Sequence, residues 1–255
     1  MIVWSIANQK GGVGKTTTTI TLAGLLNERG KRVLMVDTDP HGSLTTYLGY
    51  DSDNLPSSLF GLFQLPTINK TTVKPFVLHS KVPGLDIIPA HMSLATLDRV
   101  MGNRTGMGLV LKRVLKALED EYDYVLIDCP PILGVMMINA LAASNRVLIP
   151  VQTEFLAMKG LERMMKTLAI MQRNKPSLFD VTIIPTMYDK RTNASLQTLM
   201  ELKHMYTDQV WASAVPIDTK FRDASLKRMP PSFVSPNSRG VFAYKTLLNY
   251  LERLV

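Results

Sequence analysis

Gln9-Lys10-Gly11-Gly12-Val13-Gly14-Lys15-Thr16-Thr17 follows an apolar, β-branched run, Ile2 to Ala7, and leads into a stretch with helical spacing. Strand, glycine loop, helix is the setting in which Gly11 followed by Gly14-Lys15-Thr16 means phosphate binding. Glycines let the backbone approach an anion, so that successive N–H groups and the following helix N-terminus converge on it. Gly11, Gly12, Val13, Gly14 and Thr17 then line the phosphates, Lys15 reaches the β- and γ-phosphates, and the Thr16 hydroxyl binds Mg²⁺. Lys10 departs from the usual pattern, standing where the first glycine belongs. From the mouth of the loop its side chain folds back poorly onto its own phosphates, but it has the reach for a nucleotide in a second subunit facing it. A solvated loop lysine is the plainer alternative.

The 255 residues suffice for one large α/β domain or two small ones, and 46% hydrophobic content suits a well-buried core. No apolar run has the length of a membrane span, and Met1 runs directly into a strand, leaving no room for a signal peptide. A single cysteine, Cys129, excludes an internal disulfide framework and any CxxC metal site within one chain. A cytoplasmic protein is expected. The net charge of +8 is unevenly spread: residues 1–155 hold 14 Lys and Arg against 13 Asp and Glu, whereas residues 156–255 hold 15 against 8. That basic half suits DNA first and an anionic membrane surface second, with an ordinary solvated face as the alternative.

Thr16 to Arg29 carries Leu22, Leu25 and Leu26 at helical spacing, with Gly30 at the place of a C-cap. Val33-Leu34-Met35-Val36 reads as a strand ending in Asp37-Thr38-Asp39-Pro40. Both acids thus lie at a strand's C-terminal end, where open α/β sheets collect ligands. Residues 49–106 are the least regular; Leu55 to Phe63 and Met92 to Met101 are expected as helices and Leu85 to Ile88 as a strand, with Met107 to Glu119 a longer amphipathic helix. Asp123 to Asp128 is a buried strand ending in Asp128-Cys129-Pro130-Pro131, and an acid there holds Mg²⁺ directly or through water. Cys129 is expected as a buried, unreactive thiol. Asn145 to Val151 and Val181 to Pro185 are further strands flanking the helix Leu156 to Arg173, whose methionines are read as core. Asn193 to Tyr206 is another helix, Ala214 to Asp218 closes the last strand, and Val241 to Val255 is a final helix packed on the core. Alternating strands and helices over residues 1–255 predict a single doubly wound α/β domain with a mostly parallel sheet.

The loop KGGVGKT, the DTDP turn and the DCPP segment together resemble the deviant Walker A ATPases, the family of ParA and MinD. The resemblance covers essentially the full chain and is most specific over residues 8–48 and 123–160. It implies a slow, Mg²⁺-dependent ATPase whose two subunits join face to face around ATP, Lys10 of each acting on the other's phosphates. By position it gives Asp39 the attacking water and Asp37 a supporting place in the Mg²⁺ shell, with a capped turn as the alternative. Cys129 stands where relatives usually carry Thr. The 186–192 segment resembles the part beside the nucleotide base, so Met187, Asp189, Pro216 and Asp218 are expected there, although Pro and Asp also serve turns alone. Arg191, Lys220, Arg222, Lys227 and Arg228 fall in regions where ParA relatives bind DNA without regard to sequence. The segments DTDPHG, PVQTEFLAMKG and PIDTKFRDAS look like the ParC branch, which places chemotaxis arrays at cell poles through an adaptor. Chromosome or plasmid partition with a ParB-like rather than ParP-like adaptor, and enrichment at pole or nucleoid, stay open. So do a MinD-like membrane-cycling regulator of division or flagellar placement, and a scaffold that binds nucleotide without hydrolysing it.

Overall fold

Val33–Val36, Tyr124–Ile127 and Val147–Ile149 are apolar on both faces, as strands must be when helices cover the sheet on both sides. The computed structural model, which describes residues 1–101, 106–173 and 179–254, turns these runs into the middle of one sheet. Its strands are β1 (Ile2–Ile6), β2 (Val33–Asp37), β3 (Leu78–His79), β4 (Leu85–Ile88), β5 (Tyr124–Asp128), β6 (Arg146–Gln152) and β7 (Asp180–Thr186). Among the described residues the order is β3-β4-β2-β5-β1-β6-β7, and every pairing is parallel except β3 on β4. Ile6 and Asp37 both stand opposite Asp128 in the register, so the ends of β1, β2 and β5 lie level.

Alternation along each strand divides the core between two faces. Val3, Leu34, Val36, Val125 and Ile127 pack under the helices Val110–Ala117, Val135–Ala143 and Phe155–Gln172. Trp4, Ile6, Met35 and Leu126 face the helices Lys15–Glu28 and Arg239–Glu252 instead. Met158 and Met164 are buried, so the methionine stripe belongs to the core. At Gly24 a Cβ would stand 2.4 Å from Pro230, which lets the phosphate-loop helix lie directly on residues 230–232.

Several elements differ from the sequence expectation. Met92–Met101 is a 3-10 turn, Met92–Thr96, followed by a short helix, Leu97–Met101. Met107–Glu119 likewise divides into a 3-10 turn, Met107–Leu109, and the helix Val110–Ala117, and the helix expected over 55–63 contracts to Leu59–Leu62. Ala214 to Asp218 is not a strand: it meets β7's extension at a single bridge, Tyr188 to Pro216, with the Val215 carbonyl accepting the Tyr188 N–H at 3.0 Å and the Ile217 N–H donating to the Tyr188 carbonyl at 3.2 Å, because the left-handed backbone of Met187 interrupts the extension just after Thr186. The final helix starts two residues early, at Arg239, where the Ser238 hydroxyl caps it by accepting the Val241 N–H, and ends at Glu252; Val255 lies outside the described residues.

Candidate functional site

The loop after β1 is anchored before it turns. Asn8, 1% exposed, donates through Nδ2 to the Pro150 carbonyl at 2.8 Å and accepts the Lys10 N–H at 3.0 Å. Gly12 and Gly14 then take φ of 73° and 93°, a region that side chains avoid. Where a Cβ would stand on Gly11, Gly12 or Gly14 nothing lies within 4 Å. The helix Lys15–Glu28 begins directly from this open concavity, a shape that suits a phosphate chain. Val13 is buried at its back, its carbonyl accepting the Thr186 hydroxyl of β7 at 2.9 Å. Thr17 follows on the helix and lines the adjoining cleft. Lys15 Nζ reaches back across the loop to donate to the Lys10 carbonyl at 3.1 Å, and burial holds its pKa below the ordinary lysine value, against the pull of Asp128.

Thr16 Oγ1 donates to Asp128 Oδ2 at 2.6 Å. The other oxygen, Asp128 Oδ1, is buried with no hydrogen-bond partner among the described residues. Burial, and then the charge of Asp37, pushes the Asp128 carboxyl up. An orphaned carboxylate oxygen beside a threonine hydroxyl and an anion loop fits a hard cation or its bound water. Among the described residues no three His, Cys, Asp or Glu side chains gather closely enough to hold a metal alone. The residues therefore fit Mg²⁺ carried in with phosphate oxygens, held by Thr16 and Asp128.

Asp37 stands differently. Its Oδ2 accepts the Thr45 N–H at 2.8 Å and hydroxyl at 2.7 Å, and its Oδ1 accepts the Asp39 N–H at 3.2 Å. The carboxylate is thus engaged by protein and fixes the 39–45 turn. Burial raises its pKa. Asp39 is more open, accepting the His41 N–H at 3.0 Å and facing His41 Nδ1 at 2.9 Å. Cys129 is buried, and burial pushes its thiol well above the ordinary range.

On the β7 side Met187 takes a left-handed φ of 52°, a strained conformation of the kind that gathers at ligand sites. Met187, Pro216 and Asp218 line a cleft of about 390 Å³ that is continuous with Gly14 and Thr17 and includes Arg222. The Asp218 carboxylate accepts the N–H groups of Lys220 at 3.0 Å and Gly240 at 2.8 Å, tying the last helix to the cleft wall. Asp189 lines an adjoining cleft of about 490 Å³ with Lys190, Arg191 and Arg239. Arg191 grips it through Nε at 2.9 Å and Nη2 at 2.7 Å, drawing its pKa down to about 2.

Of the cations expected at DNA, Arg191, Lys220 and Arg222 line neighbouring clefts that share Asp218, and two of them are ion-paired within the chain. Arg191 is bound to Asp189, Lys220 pairs with Asp223 at 3.0 Å, Arg222 faces the cleft, and the Arg228 side chain lies over Gly49. Lys227 is exposed. Lys10 Nζ forms an ion pair with Glu154, the residue that opens the helix Phe155–Gln172. Asn8, Thr45 and Glu154 are site residues that the sequence reading does not reach. Asn8 and Glu154 act through contacts more than 140 residues away, which local spacing cannot signal.

A central parallel strand, a glycine loop opening a helix, and an acid at the end of the neighbouring strand define a phosphate-loop nucleotide-binding protein. Residues 1–202 match the AAA domain family. Over 244 residues the chain is 36% identical to the sporulation initiation inhibitor protein Soj of Bacillus subtilis, covering 95% of each. Over 237 residues it is 35% identical to the chromosome partitioning protein ParA of Caulobacter vibrioides, covering 92% of this chain and 85% of that one. The chain belongs to the ParA/Soj family of P-loop ATPases. Among solved structures it resembles cobyrinic acid a,c-diamide synthase from Mycobacterium smegmatis with bound ATP analog and magnesium, at a TM-score of 0.87 and 34% identity over 99% of this chain and 94% of that one. McdA of Cyanothece shares the fold at a TM-score of 0.84 and 22% identity, over 96% and 99% of the two chains. Among the described residues no helix is long and apolar enough to cross a membrane.

Proposed function

We propose that this chain is an ATP-hydrolysing positioning switch, in which Mg²⁺–ATP joins two copies face to face and hydrolysis releases them. The observation that carries this reading is the direction of Lys10. Its side chain leaves the loop toward Glu154, so within one protomer Lys15 alone spans the phosphate concavity. That direction, away from its own phosphate concavity, fits a lysine that serves the phosphates of a neighbour. Ile132, exposed at 72%, and Phe155 and Leu156, at 69% and 68%, flank the loop from the segments after β5 and β6, which pair with β1 on either side. They give a second copy an apolar surface to cover.

Phosphoryl transfer asks a protein mainly for position and charge. Lys15 places positive charge at the β- and γ-phosphates. Thr16 and Asp128 would hold Mg²⁺, which when bound would supply neutralisation of phosphate charge. Asp37 fixes the turn that presents Asp39, and Asp39 orients the attacking water. Lys10 of the second copy adds a trans cation of the kind that contributes about 10³–10⁵ in rate in other phosphate-loop enzymes. Separating that cation from Asp39 keeps the isolated chain slow, as befits a timer. Met187, Asp189, Pro216 and Asp218 border the base.

The likeness to Soj and ParA supports a cell-positioning role. Within it, the DTDPHG, PVQTEFLAMKG and PIDTKFRDAS segments support a polar chemotaxis array as cargo, reached through an adaptor. The excess of cations after residue 155 supports non-specific DNA as the track. Sedimentation velocity with ATP and Mg²⁺ tests the reading: the protein sediments as a dimer, Lys10→Ala binds ATP and stays monomeric, and a Lys10→Ala protein that dimerises and hydrolyses normally contradicts it.

A further inference from the structure

We infer that Glu154 is a positioning residue that keeps Lys10 paired within its own protomer until a second copy arrives, an inference that rests on the face-to-face reading above. The ion pair joins two partly exposed side chains, at 30% and 40%. Glu154 is the N-cap residue of the helix Phe155–Gln172, yet its side chain makes no capping hydrogen bond. Its backbone does the local work, donating to the Gln152 carbonyl at 2.8 Å and accepting the Ala157 N–H at 3.0 Å. The carboxylate is therefore left to Lys10, at a helix N-terminus that favours negative charge.

Lys10 has a fixed base and a held tip. Asn8 accepts its N–H, Gln9 donates to Thr167 on the same helix at 3.1 Å, and a Cβ on Gly160 would lie 3.7 Å from the Lys10 Cβ. The lysine thus runs along the first turns of the helix Phe155–Gln172 and ends on Glu154. Phe155 and Leu156 are the next two residues in the chain, so the surface a second copy covers adjoins the pair that must open. Swinging Lys10 to a neighbour's triphosphate exchanges one carboxylate for a more highly charged anion. An ion pair this exposed is a weak hold, so Glu154 biases the equilibrium and does not lock it.

Glu154→Gln removes the charge and leaves the backbone contacts. Two measurements on the full-length chain test the inference. Labelling of Lys10 by an amine-reactive reagent in nucleotide-free protein, read by peptide mass spectrometry, is expected to speed up about two- to fivefold in Glu154→Gln. The ATP concentration for half-maximal dimerisation by sedimentation velocity is expected to fall by about the same factor. Unchanged labelling overturns the resting pair whatever the dimer does. Faster labelling with an unchanged or raised ATP requirement overturns its gating role. A wild-type protein that stays monomeric in ATP removes the face-to-face reading, and the gate with it, even if labelling responds.

Discussion

Lys15 and Asp128 are a buried cation and a buried acid with separate partners, the Lys10 carbonyl for Lys15 and the Thr16 hydroxyl for Asp128. Burial works against the charge on each, lowering Lys15 and raising Asp128, and it raises Asp37 as well. An acid whose folded-state pKa lies above its unfolded value keeps a proton that the unfolded chain has released. Stability from Asp37 and Asp128 is therefore present at acid pH and declines as pH climbs out of the ordinary carboxylate range. In Mg²⁺- and nucleotide-free protein, the thermal midpoint is expected to fall with rising pH across that window, and Asp128→Asn is expected to flatten the slope. The same substitution removes a metal-holding oxygen, so Mg²⁺ should lose its effect on ATP affinity, read by fluorescent-nucleotide titration. A wild-type slope retained in Asp128→Asn would mean that other groups set the pH response. Asp39→Ala leaves the loop and metal residues intact, so it should trap an ATP-bound dimer with turnover lost; wild-type turnover would remove its assigned role.

At the scale of elements, the turn after β2 is held by one side chain. Thr45 donates to Asp37 through both its N–H and its hydroxyl, and the same hydroxyl accepts the Ala90 N–H at 3.0 Å from the end of β4. Thr45→Val keeps the shape and deletes the hydroxyl, leaving a buried N–H unsatisfied at a cost of about 1–3 kcal/mol. For a chain of this size that lowers the thermal midpoint by about 2–4 °C per kcal/mol, measurable by calorimetry. A midpoint unchanged within error would show that water replaces the hydroxyl. The phosphate loop, Asp39 and Asp128 were legible because each is a local pattern at a strand end. The helix Val135–Ala143 was not, since VMMINALAA has almost no polar face to set a period. Two-residue β3 is too short to alternate, so nothing in its own pattern marks its antiparallel pairing with nearby Ile87 and Asp86. The break near residue 109 and the single bridge at Pro216 were hidden because tertiary packing and the left-handed turn at Met187 decide them, not composition.

For the whole molecule the sheet topology does what no single motif can. It gathers segments centred on residues 12, 38, 128, 153 and 187 at one edge, with the glycine loop between β5 and β6. The charge excess lies in the later part of the chain, but two of its cations, Arg191 and Lys220, are already ion-paired within the protein among the described residues, which limits their availability to phosphates. Lys220→Glu with Arg222→Glu is expected to weaken binding to non-specific duplex DNA and to reduce the log–log salt slope by about one for each DNA phosphate that is no longer neutralised. An unchanged slope would put the DNA surface elsewhere.

The trans action of Lys10 is tested most directly by mixing two inactive proteins, Lys10→Ala and Asp39→Ala, and measuring ATP hydrolysis. In a mixed dimer the Lys10→Ala protomer keeps its own Asp39 and receives Lys10 from its partner, so one complete site forms and activity returns. If Lys10 served its own loop, neither protomer would hold a complete site, and the mixture would stay as inactive as its parts.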